Sequence, residues 1–273
     1  MLDTIKDSFH LTNKYIILAT PLILFSLISS LYIIFSANGN SLSLLFALLL
    51  FFLMFGAFLS GWLFMVKNCI ENREHDANSL IAEFPAGVGE YFLPACGMII
   101  LSLIFSFILI GISYFAGIKL IGDMSETFQT IMNISSTSAD AMKSYIMSLP
   151  ADTLIKINEW NLLLLFTAIV TYLMLMFYSP ALLFKTKNPF KALFIGFKDL
   201  FCRKFWKNLL LFIIVFAIYF AISIIGTILG KNIILHFIFT LINFYYLVFA
   251  VVFVYNYYYK NFVQIGANVD TRV

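Results

Sequence analysis

The chain has 273 residues, of which 62% are hydrophobic, 18% aromatic and only 11% charged, and its formal net charge is +3. A soluble globular domain carries about a quarter of its residues as charges, so this composition excludes one and specifies an integral membrane protein. The small net charge excludes nucleic acid as a partner, because the cations gather at the ends of apolar runs instead of spreading along one face.

Residues 1–14 are mixed in charge, and the apolar run 15–35 that follows is longer than a signal-peptide core and long enough to cross ~30 Å of hydrocarbon. It reads as a retained first span. A second run at 42–66 follows a tight turn at 36–41, and four more lie at 95–116, 162–184, 209–229 and 233–255. The expected fold is all-α: one integral membrane domain over 1–273, built as a polytopic bundle of six transmembrane helices. Residues 117–161 form an outer segment with Ile118, Ile121, Phe128, Ile131 and Met132 in its first part and Ala141, Met142, Tyr145, Ile146 and Leu149 before Pro150 in its second. Two short helices in an outer cap account for that pattern.

With both termini cytoplasmic, thirteen of the seventeen Lys and Arg residues lie inside and four, Lys119, Lys143, Lys156 and Lys231, lie outside. The positive-inside rule selects that orientation. Trp62, Trp160 and Trp206 stand near span ends as interfacial aromatics, and the tract from Tyr255 to Tyr259 reads as a belt anchor. Pro21 and Pro180 are expected to kink their helices.

The most informative stretch is 185–207, which holds seven of the cations between spans four and five. Its period is helical. Phe190, Leu193, Phe194, Phe197, Leu200, Phe201 and Phe205 fall on one face, and Lys191, Lys198, Asp199, Arg203 and Lys207 on the other. Such a helix lies in the membrane surface with its phenylalanines at the headgroup boundary, and Lys191, Lys198, Arg203 and Lys207 are the candidate headgroup contacts.

A threefold internal repeat emerges when the spans are taken in pairs. Amphipathic interfacial stretches at 4–15, 79–93 and 192–206 precede spans one, three and five, and the even spans close on Lys67-Asn68, Lys187-Asn188 and Lys260-Asn261. On this unit the chain resembles the six-pass prokaryotic membrane proteins related to the membrane domain of glycerophosphodiester phosphodiesterases. The resemblance covers nearly the whole chain and rests on pattern and hydropathy. It implies a membrane-domain protein in the cytoplasmic membrane of a prokaryote, without the catalytic domain that some members carry, and it transfers no site residue.

The six spans hold no Asp, Glu, Lys or Arg in their interiors, whereas proton relays and ion-coupled carriers need intramembrane ionisable groups. His236 lies near the outer end of span six. The run from Glu71 to Asp76 crowds carboxylates beside His75 but lacks a metal-ligand spacing, as do Cys69, Cys96 and Cys202. No catalytic residue, metal or cofactor is expected. The polar groups within the spans are hydroxyls and amides, of which Ser106, Thr171 and Asn243 are candidates to line a polar path, Asn243 standing out because a mid-span amide demands a partner.

Two functional readings follow. The first is a non-enzymatic membrane scaffold or accessory protein that meets membrane lipids, another membrane protein or a second copy of itself through its surface helices. The second is an uncoupled transporter or channel subunit for a small amphipathic or lipid-like solute.

Overall fold

The computed structural model describes residues 1–36, 41–74, 76–135, 138–202, 204–229 and 232–264, and among them every regular element is helical. The elements are α1 (Leu2–Lys14), α2 (Ala19–Ser36), α3 (Ser41–Glu71), α4 (Ala77–Leu120), α5 (Ser125–Ser135), α6 (Ala139–Ser148), α7 (Ala151–Leu175), α8 (Tyr178–Phe184), α9 (Pro189–Cys202), α10 (Phe205–Leu229) and α11 (Ile233–Tyr258). Five segments are long and apolar enough to cross a membrane, and a sixth is added if α1 and α2, bent by 76° at the intervening turn, are taken together. The chain has the build of a multi-pass membrane protein. Parts of the expected turns at 36–41 and 230–232, together with His75 and Arg203, lie outside the described residues.

Several boundaries differ from expectation for identifiable reasons. The first span does not begin at Tyr15, because Tyr15 and Leu18 are wholly buried in the corner between α1 and α2. Stretch 79–93 and span three are one continuous helix, α4, whose 44 residues include Pro85 and Pro94. Its 44 residues are about twice the number that a single span needs. Span four starts early, at Ala151, breaks at Met176 and Phe177, and resumes as α8. Pro180 is the third residue of α8 and Pro21 the third of α2. In the first turn of α2 the N–H has no helical partner, so Pro21 starts that helix, whereas Pro180 stands four residues after Met176, where span four is interrupted as a proline is expected to interrupt it.

The helices fall into two compact units, residues 1–101 with 174–273, and residues 102–173. In the first unit α3, α8 and α11 pack on one another, with α2 against α3 and α11 and α10 against α11. The core lies at their charged ends, where Met65, Val66, Ile70, Phe177, Tyr178, Phe253 and Tyr258 are buried. The tract from Tyr255 to Tyr258 is therefore interior, not a belt at the lipid boundary. Trp62 is buried too and donates its indole N–H to the Leu18 carbonyl at 2.9 Å. Only Trp206, 78% exposed, has the outward position expected of all three tryptophans.

The repeat has a geometric basis in this unit. Thr4-x-x-Asp7-Ser8-Phe9, Gly87-x-x-Glu90-Tyr91-Phe92 and Gly196-x-x-Asp199-Leu200-Phe201 align with no gap. In each, the first position and the residue after the acid are buried against the end of an even-numbered span: α11 for α1, α3 for the first half of α4, and α8 for α9. A Cβ on Gly87 would stand 2.5 Å from Phe64 Cβ, and one on Gly196 3.1 Å from the Phe177 carbonyl carbon, so glycine is required for both approaches.

The second unit contains the two short helices expected of the outer segment, α5 and α6, and is organised around Trp160. Its ring is buried against Gly117 and lies 5.9 Å from Tyr114 and 6.1 Å from Phe128, while its N–H donates to the Gly122 carbonyl at 3.2 Å. A core role replaces the interfacial one expected for this tryptophan.

Candidate functional site

Helix α9 starts on Pro189, with the Asn188 side chain accepting the Lys191 backbone N–H at 3.1 Å. It ends at Cys202, and Lys204, with a φ of 62°, stands immediately before α10. This left-handed residue is held by its ammonium, which donates to Asn261 Oδ1 at 3.0 Å. The orphan carbonyls at the end of α9 are met by Asn208, which donates from Nδ2 to the carbonyls of Asp199 at 3.1 Å and Leu200 at 2.9 Å and accepts from the Tyr257 hydroxyl at 2.9 Å.

The two faces read from the sequence become three. Ala192, Gly196, Asp199 and Leu200 form an inward stripe against α8. Asp199 is thus not a solvated member of the basic face: its carboxylate accepts from Lys185 at 2.7 Å and from the Tyr258 hydroxyl at 2.6 Å. Leu200 likewise faces protein, not lipid. The outward aromatic stripe consists of Phe190, Phe194 and Phe201, which are 61%, 70% and 48% exposed. Lys191, Lys198 and, at the start of α10, Lys207 are exposed beside it, while Arg203 lies outside the described residues.

An acid binds each of the other two surface segments. Asp7 on α1 accepts from both terminal nitrogens of Arg73 at 2.9 and 3.0 Å, from Lys260 at 2.5 Å and from Asn256 Nδ2 at 3.1 Å. Burial pushes its carboxyl up, but these hydrogen bonds outweigh burial and hold it well below the usual carboxylate range. Glu90 pairs with Lys187 at 2.8 Å, and that carboxylate raises the affinity of the lysine for its proton. Lys67 donates to the Tyr91 hydroxyl at 3.4 Å, and the ammonium groups of Lys67 and Lys187 lie 5.7 and 5.3 Å from the Tyr91 ring.

Ser106 donates to the Ser102 carbonyl at 2.7 Å and Thr171 to the Thr167 carbonyl at 2.8 Å, both within their own helices. They belong to the second unit, whereas Asn243, half-buried on α11, belongs to the first. Among the described residues no group of three His, Cys, Asp or Glu side chains is arranged to hold a metal. Asp7 and Asn208 were given no role by the sequence pattern, and Asn256, Tyr257 and Tyr258 were assigned only to a belt anchor, although amides and phenols crowd there at the boundary of an apolar run. No protein-family profile, curated protein or solved structure matches the chain.

Proposed function

We propose that this protein is a non-enzymatic scaffold or accessory component of the cytoplasmic membrane of a prokaryote, with both termini inside, that engages anionic lipid through its surface helices. One observation carries the reading. The inward stripe of α9 is fastened by Asp199, Gly196 and Leu200, so that Phe190, Phe194 and Phe201 are held outward beside exposed Lys191, Lys198 and Lys207. Phenylalanines inserting at the headgroup boundary contribute a salt-insensitive term, and each lysine adds about 1 kcal/mol near an anionic surface. The transport reading draws no comparable support, because the Ser106 and Thr171 hydroxyls are satisfied by their own helices.

Trp206 is a built-in reporter, since Trp62 and Trp160 are buried. In vesicles, brominated phosphatidylglycerol should quench it more strongly than brominated phosphatidylcholine, and the difference should vanish when Lys191, Lys198 and Lys207 are replaced by glutamine. Equal quenching by the two lipids sinks the proposal. Orientation is tested separately by single cysteines at Ser138 and Lys198 in a cysteine-free background, which should be labelled from opposite sides of the membrane.

A further inference from the structure

The three acid clamps occupy the same position of the repeat and differ in charge. At Asp199 the contacting cation is Lys185, one against one. At Glu90 the cations are Lys187 and Lys67, and Lys67 also stands 4.0 Å from Glu71, so two positive groups face two negative ones. At Asp7 the count is uneven. Arg73 and Lys260 both bind its carboxylate, and the Lys14 ammonium donates to the Arg73 carbonyl, which also accepts from the Tyr15 hydroxyl at 2.8 Å. Two cations thus hold the one carboxylate, and a third, Lys14, is tied to the backbone of Arg73. Of the acids close along the chain, Glu71 faces Lys67, and Asp3, Glu74 and Asp76 are exposed to solvent; among the described residues none of these is bonded to the cluster.

We propose that Lys14, Arg73 and Lys260 form a binding site for a phosphoryl anion, which supplies the negative charge that, among the described residues, this clamp lacks and the other two contain. Asp7 and Asn256 engage three of the five guanidinium N–H groups of Arg73, which leaves donors for oxygens from outside. The Arg73 and Lys260 side chains are 42% and 32% exposed, reachable yet partly shielded from screening by water and salt. On the same helix Leu2 and Phe9, and Ile16 just beyond it, face outward. Apolar chains attached to the phosphate would find cover there, so the headgroup of an anionic phospholipid suits the site better than free phosphate. The choice of a lipid source rests on the reading that α1 lies at a membrane surface.

The full-length protein is reconstituted in phosphatidylcholine nanodiscs containing a small fraction of phosphatidylglycerol, and retained lipid is counted by native mass spectrometry. In a second arm, protein in detergent is titrated calorimetrically with inorganic phosphate. One phosphatidylglycerol should be retained per chain, and Lys14→Gln, which alters an exposed side chain, should lower retention about fivefold, the effect of one surface lysine. Lys143→Gln, on α6, should change nothing. Asp7→Asn should raise retention, opposite to what a purely structural clamp predicts. Binding of inorganic phosphate that is weakened by Lys14→Gln, without lipid retention, keeps the site and makes its ligand soluble. If neither anion is held, or if Lys14→Gln and Lys143→Gln behave alike, the proposal is overturned. If the Lys191→Gln/Lys198→Gln pair releases the lipid and Lys14→Gln does not, this site falls while the membrane reading of α9 stands.

Discussion

Gly196, Asp199 and Leu200 seat α9 on α8, and Gly87 and Tyr91 seat the first half of α4 on α3 while Glu90 reaches Lys187 between α8 and α9, but the outward sides of the two segments differ. Where α9 presents Phe194, Lys198 and Phe201, the aligned positions in α4 hold Pro85, Gly89 and Phe92, the last half-buried with its ring near Gly56 of α3. The fastening also differs in depth. Asp199 and Lys185 have side chains only 12% and 26% exposed, against 40% and 58% for Glu90 and Lys187. The inward side of the repeat thus serves packing in both copies, and the outward side is where they diverge. Helix α9 combines the deeper anchor with the aromatic and basic surface, which is why it carries the functional proposal.

The largest effect should come from the difference in depth. Asp199→Asn removes the charge that Lys185 and Tyr258 both face, and an ammonium left without its partner in a largely shielded position should cost about 2–3 kcal/mol. Glu90→Gln breaks an exposed pair and should cost no more than about 0.5 kcal/mol. Denaturant unfolding in micelles measures both. Equal losses would mean that the two clamps are equivalent and that burial does not distinguish them.

A smaller effect is expected at the glycines. Gly196→Leu drives a side chain into the backbone of Phe177 and Tyr178, a rigid neighbour that cannot yield, and should destabilise by about 2 kcal/mol. Because α9 is the element displaced, proteolysis should become faster within 185–207 before any span is cut. Gly89→Leu is the control: a Cβ there meets nothing within 4 Å, and its higher helix propensity should leave stability unchanged or slightly raised. Protection of 185–207 in the Gly196→Leu protein would show that the glycine is not what seats the helix.

The spans were legible because long runs without charge have few alternatives, and α9 was legible because its apolar residues recur at helical spacing. The inward stripe was not. Periodicity sorts residues by hydropathy, so Asp199 joined the lysines and Leu200 the phenylalanines, although each turns toward protein, Asp199 through Lys185 and Tyr258. The same limit explains Trp62, Trp160 and the tract from Tyr255 to Tyr258, because an aromatic at a span end has the same sequence signature whether lipid or another helix covers it. Helix α4 runs through Pro85 and Pro94 although each removes one backbone hydrogen bond of the helix. Of the proposed headgroup residues, Lys191, Lys198 and Lys207 are outward as their spacing required. The cation cluster at Asp7 joins α1 to residues far along the chain, a proximity that only the fold creates.

The smallest effect, and the most direct use of the comparison, is to transfer the outward surface from one copy to the other. Pro85→Phe with Gly89→Lys gives the first half of α4 the Phe, Lys, Phe spacing of α9, on exposed positions that contact no other helix at Gly89. Both changes also favour the helix, since proline and glycine are the poorest interior residues. If the surface alone sets the lipid preference, the variant should gain about one lysine's worth of attraction, ~1 kcal/mol or roughly fivefold in local enrichment of phosphatidylglycerol. A bromine-quenching or lipid-exchange measurement reads that enrichment, and the added lysine should make it fall as salt rises. No gain at low salt would mean that the outward residues are insufficient, and that the preference of α9 depends on its being a separate helix, broken from its span at Lys204, rather than on the side chains it presents.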